Sequence, residues 1–97
     1  MALKWSPDAL DDVERLIAFL DQYSSTAGNQ AAELILQAAR QLLNTPQIGR
    51  QHGSAGMREW LAPFGASAYV LRYRIDPSGD IFILRVWHSR EDRNEKN

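Results

Sequence analysis

A chain of 97 residues, 44% hydrophobic and 24% charged, supports one globular domain over residues 1–97 with a single modest core. The lack of cysteine excludes a disulfide, a thiolate metal site and a cysteine nucleophile, and fits a reducing compartment. No apolar run reaches the length of a membrane span and Met1–Trp5 carries no signal-peptide core, so a cytoplasmic protein with no membrane partner is expected.

The net charge of −1 argues against strong non-specific nucleic-acid binding. Its distribution is uneven. Residues 1–49 sum to −3 and residues 50–97 to +2, and seven of the eight bases in the second half are arginine. Arginine suits bidentate and stacked contacts, so the second half is the expected working face.

In chain order, a short strand at 2–5 meets Ser6-Pro7-Asp8, an N-cap followed by proline at the first helical position. The first helix is predicted to run to Tyr23, with Leu10, Val13, Ile17 and Leu20 on one face and Leu16 flanking. Asp11, Asp12 and Glu14 complement the positive end of its dipole. A turn at 24–29 precedes a second helix over 27–44, whose stripe is Ala31, Leu34, Ile35, Ala38 and Leu42, stopped by Asn44-Thr45-Pro46.

Residues 47–56, broken by Gly49, Gly53 and Gly56, read as a loop. The period then changes to two, with strands at 57–63, 68–75 and 81–87 joined by turns at 64–67 and 76–80. The last strand is apolar on both faces and is expected centrally, with helices on one side. The fold class is α+β, ordered β-α-α-β-β-β: a helical hairpin on a mainly antiparallel sheet.

That last strand runs into His88-Ser89-Arg90-Glu91-Asp92-Arg93, a polar cluster that folding does not require. His52 reads as a surface-loop residue. The two histidines have no metal-ligand spacing, and the glycines lack the Lys-Ser/Thr pair of a phosphate loop, so neither metal nor cofactor is expected.

Five segments occur in register: Trp5-Ser6-Pro7-x-Ala9, Leu43-x-x-Pro46-x-x-Gly49-Arg50, Gly56-Met57-Arg58-Glu59, Tyr69-Val70-Leu71-x-Tyr73-Arg74, and Arg85-Val86-Trp87-His88-Ser89-Arg90-Glu91-Asp92. Together they resemble the RelE/ParE superfamily, the toxin half of type II toxin–antitoxin modules. The resemblance spans nearly the whole chain and matches the derived element order. It implies a cognate antitoxin that wraps the toxin, operator DNA reached only through that antitoxin, and one of two targets. RelE-like members cut mRNA on the ribosome; ParE-like members poison DNA gyrase.

Carried over by position, the nuclease pattern is incomplete. Arg58 matches a basic family position, but Trp60 stands where the nuclease branch has a second lysine. Val70 replaces its phosphate-clamping arginine, a change worth about 3–4 kcal/mol of transition-state stabilisation in comparable sites. His88 and Arg90 match catalytic or basic positions of some nucleases, yet no tyrosine follows Tyr73. The resemblance therefore favours the gyrase-poisoning branch. The ribosome-dependent nuclease stays open, with His88, Arg58 and Arg90 as its catalytic set, and so does a non-toxic antitoxin-binding relic. Arg50, Arg72, Arg74, Arg85 and Arg93 are the candidates for binding target or phosphate, and Trp60 and Trp87 for antitoxin contact. A homodimer is left open. The expected picture is two helices backing a curved sheet whose far rim presents the arginines and one imidazole together.

Overall fold

The computed structural model of the chain describes residues 2–53 and 56–91. Seven elements follow one another: β1 (Leu3–Trp5), α1 (Pro7–Asp21), α2 (Ser25–Asn44), β2 (Arg50–His52), β3 (Met57–Phe64), β4 (Ser67–Ile75) and β5 (Ile81–His88). The sheet order is β1-β5-β4-β3-β2, antiparallel throughout except for the parallel β1–β5 pair. Both helices pack on one face, as the α+β reading requires. Among the described residues no helix is long and apolar enough to cross a membrane.

The helix starts follow their caps. Ser6 Oγ accepts from the Ala9 N–H at 3.0 Å and donates to the Leu84 carbonyl at 2.9 Å, so one hydroxyl caps α1 and ties it to β5. Ser24 caps α2 in the same way through Ala27. This shortens the expected turn, and α2 begins at Ser25 rather than residue 27.

The buried face of α1 is rotated from the predicted stripe, of which Val13 and Leu20 still pack against the core at its margin. Ala9, Asp12 and Leu16 are buried, while Leu10 is 52% exposed. An acid at the centre of a buried face hides that face from a pattern built on apolar residues alone. On α2 the buried residues Ala31, Ile35, Ala38 and Leu42 agree with the prediction. The sheet meets the helices through Tyr69, Leu71, Tyr73, Ile81, Ile83 and Val86.

Two further corrections concern the sheet. The predicted loop contains β2, an edge strand paired with Met57–Glu59. Arg50-Gln51-His52 shows no apolar alternation, so pairing and not local propensity makes it a strand. Secondly, β4 holds the centre, and β5 is interior but off-centre, flanked by β1. A bulge leaves Leu84 of β5 without a partner on β4, because Arg72 faces Arg85 and Tyr73 faces Ile83.

Candidate functional site

Alternation along the strands divides the candidate residues between two faces. Residues 58, 60, 62 and 64 of β3 and 69, 71 and 73 of β4 turn toward the helices. Residues 57, 59 and 61 of β3, and 70, 72 and 74 of β4, turn to the helix-free face.

On the helix-free face a row of side chains crosses four strands. Arg72 on β4 donates from Nε (3.1 Å) and Nη2 (2.8 Å) to Glu59 Oε2 on β3. Its guanidinium carbon lies 5.0 Å from the Trp87 ring centroid on β5. Arginine cannot accept, so the Arg72 Nη2–H donates to His52 Nε2 at 3.1 Å. The neutral His52 ring then carries its proton on Nδ1, 3.6 Å from Glu59 Oε2. Beside this row Arg74 and Lys4 lie over Phe82, at 5.5 and 5.4 Å. Val70 and Trp87 are buried on this face, and Arg50 is exposed at its edge.

His88 belongs to the other face. Its ring meets Tyr69 edge-on at 5.3 Å, and both nitrogens are engaged. The Arg90 N–H donates to Nδ1 at 3.1 Å, leaving Nε2–H to donate to Ser67 Oγ at 3.1 Å. His88 and the exposed Arg90 border a groove of about 490 Å³, walled by Leu16, Phe19, Phe64 and Tyr69. Arg15 and Glu91 form an ion pair at its mouth.

Two arginines are committed within the fold. Arg58 Nη1 donates to the carbonyls of Gln47 (3.1 Å) and Gly49 (2.7 Å), clamping the segment that leads into β2. Arg85 holds Asp12 of α1 at two points, Nε to Oδ2 at 2.8 Å and Nη2 to Oδ1 at 3.0 Å. The Val86 N–H also donates to Asp12 Oδ2, at 2.9 Å. Burial pushes the Asp12 carboxyl up, but Arg85, the Val86 N–H and the charge of Arg15 together hold it below the ordinary carboxylate value. Trp60 packs against the core and donates from Nε1 to Gln41 Oε1 at 3.0 Å. Arg93 lies outside the described residues.

The expected single rim of arginines and an imidazole is therefore not what the structure contains. Arg72 and Arg74 share a face, as predicted; His88, Arg58 and Arg85 stand elsewhere. Sequence reading missed Asp12, Glu59 and His52 as partners, because all three meet their arginines only through cross-strand or helix–strand contact. The one available signal was the register of Glu59 against Arg72, readable once the β3–β4 hairpin is aligned. Among the described residues no group of three metal-ligating side chains comes together.

Comparison with known proteins agrees with this architecture. Residues 3–93 match the model of the ParE toxin family, "ParE toxin of type II toxin-antitoxin system, parDE". Toxin RelE3 of Caulobacter vibrioides is 37% identical over 92 residues, covering 95% of this chain and 98% of the relative. Toxin RelE1 of the same organism is 38% identical over 82 residues, covering 84% and 86%. Among solved structures, the chromosomal ParDE system of P. aeruginosa superposes with a TM-score of 0.72 at 19% identity, over 93% of this chain and 97% of that one. The intact E. coli RelBE toxin–antitoxin complex superposes at 0.57 and 18%, over 95% and 98%. At those identities the two structures establish the fold alone. The family match and the relatives establish the rest: the chain belongs to the ParE toxin family of type II toxin–antitoxin systems, within the RelE/ParE superfamily.

Proposed function

We propose that this toxin arrests growth by binding and poisoning DNA gyrase, and that a cognate antitoxin silences it. One observation carries the choice of target: the candidate nuclease residues do not all meet, since His88 and Arg90 share a groove on the helix side while Arg58 is bound to backbone carbonyls elsewhere. Cleaving RNA without a metal needs a base, an acid and cations around one phosphate. His88 lies against Tyr69 and Ser67 on the helix side, Arg58 clamps backbone carbonyls, and the helix-free face carries Val70 where the nuclease branch has arginine. A poison that works by binding needs no such convergence. The exposed cations Arg74 and Lys4, seated on Phe82, offer a surface for an acidic or phosphate-bearing target.

A ribosome-dependent nuclease is the second reading, and the row His52–Glu59–Arg72 favours it. It sets an imidazole beside a carboxylate and a guanidinium on the helix-free face. The relatives' RelE names point the same way. Controlled expression without antitoxin separates the two. Gyrase poisoning gives filamentation with DNA-damage signalling and relief on antitoxin co-expression; a nuclease gives immediate loss of protein synthesis with codon-phased mRNA ends.

A further inference from the structure

Two tyrosines of β4 are buried on the helix side of the sheet, and their hydroxyls fare differently. The Tyr73 hydroxyl both accepts and donates a hydrogen bond. Tyr69 is 2% exposed, yet among the described residues its hydroxyl has no hydrogen-bond partner. Its ring is held between Phe64, at 5.5 Å, and His88, at 5.3 Å. Burial raises the phenol above its ordinary pKa, so at neutral pH it is a donor in need of an acceptor. Buried hydroxyls in folded proteins are nearly all paired. One that the fold leaves over points to a partner from outside the chain.

Tyr69 forms the floor of the groove of about 490 Å³, with Leu16, Leu20, Phe64 and the exposed ring of Phe19 as apolar walls. Small-molecule sites span roughly 300–1,000 Å³ and set a few polar groups among such walls. At the mouth stand Arg15, Arg90 and Glu91. Arg15 is paired with Glu91, so the charge of Arg90 is left over. The Arg90 side chain is exposed and forms no ion pair among the described residues.

We propose that this groove binds a small aryl carboxylate. The ring packs against Phe19 and Phe64, a polar substituent on it accepts from the Tyr69 hydroxyl, and the carboxylate meets Arg90 at the mouth. Three aromatic side chains around one groove favour a flat ring over a branched aliphatic body. One surplus guanidinium calls for a monoanion, and its planar fork matches a carboxylate. The groove lies on the opposite side of the sheet from Arg74 and Lys4, so the site stands under either reading of the toxin's target.

Titration of the full chain with para-hydroxyphenylpropanoate, followed by nuclear magnetic resonance of its backbone amides, tests this. Saturable shifts are expected at Phe64, Tyr69 and Arg90. Phenylpropanoate, which lacks the ring hydroxyl, and para-ethylphenol, which lacks the carboxylate, are each expected to bind about tenfold more weakly. Arg90→Ala should abolish the preference for the carboxylate. Tyr69→Phe should abolish the preference for the hydroxylated ring without lowering the melting temperature, because the hydroxyl has no bond within the fold to lose. A lower melting temperature for Tyr69→Phe would show the hydroxyl already paired inside the protein and overturn the site. Equal affinity for all three probes would reduce the groove to an unselective apolar patch, and no saturable shift would remove it; either result overturns the proposal. The same signals moving with toxin concentration alone, or with purified antitoxin but with none of the probes, would give the groove to a protein segment and overturn it too.

Discussion

The Tyr73 hydroxyl accepts a hydrogen bond from the Gly49 N–H at 2.9 Å and donates one to the Pro46 carbonyl at 2.7 Å. A buried central-strand tyrosine thus fixes the segment that carries the chain from α2 into β2. A Cβ on residue 49 would lie 2.5 Å from that hydroxyl and 2.9 Å from the Glu59 carbonyl. Close approach, with no call on unusual backbone angles, makes glycine necessary here.

Gly49→Ala is expected to destabilise the fold by about 1–3 kcal/mol through overpacking. Tyr73→Phe costs about 1–3 kcal/mol by leaving a buried donor and acceptor unpaired. The double variant loses less than the sum, because both changes disrupt the same Tyr73–Gly49 contact, although the ring Cε1 at 2.6 Å and the Glu59 carbonyl still crowd the new methyl. Urea unfolding of the three variants measures the coupling directly.

Asp12 and Arg85 link α1 to the β5 bulge. Asp12 is 4% exposed, whereas the Arg85 side chain is 39% exposed. Removing the acid from a fully buried pair costs roughly 3–5 kcal/mol. Partial solvation of Arg85 screens this one, and Asp12→Asn is expected to cost about 2 kcal/mol. Because the folded carboxyl sits below its ordinary value, the unfolded chain takes up the proton first as pH falls. The stabilisation is complete at neutral pH and is lost as acidity passes through the folded-state value. Unfolding across the acid range should therefore show a shallower decline for Asp12→Asn than for the parent chain.

His88→Ala is expected to leave growth arrest within about twofold, since a binding poison asks no proton transfer of it. A general acid or base at this position predicts a loss of about 10²–10⁴-fold. Induction titrations matched for soluble protein measure the difference. Arg58→Ala should instead lower unfolding stability, because its contacts are the Gln47 and Gly49 carbonyls.

On the helix-free face, Arg74→Glu and Lys4→Glu reverse exposed cations without touching the core. Each is expected to weaken gyrase inhibition about tenfold in concentration; thermal stability stays unchanged for Arg74→Glu and falls slightly for Lys4→Glu, which breaks the exposed Lys4–Asp80 ion pair. Equal inhibition by both variants would remove this face from the target interface.

Much of the architecture is written in local signals. Ser6-Pro7 marks the α1 start, period two over 68–75 marks β4, and Asp76-Pro77-Ser78-Gly79 marks the turn into β5. What stayed hidden depends on partners distant along the chain. Asp12 looks like a dipole-complementing surface acid until β5 brings Arg85 to it, 73 residues away. His52 looks like loop decoration until β2 pairs with β3 and brings Arg72 within reach. His88 was conspicuous in a polar tail, but side-chain alternation sends it to the helix side, away from Arg72.

The most direct measurement pairs gyrase supercoiling and trapped-cleavage assays with ribosomal A-site cleavage, on one preparation of the toxin. The account predicts inhibited supercoiling and gyrase-dependent linear plasmid after detergent and protease treatment, with the mRNA left whole. Unimpaired gyrase together with codon-phased cuts that vanish in His52→Ala would contradict it and hand the toxic activity to the His52–Glu59–Arg72 row.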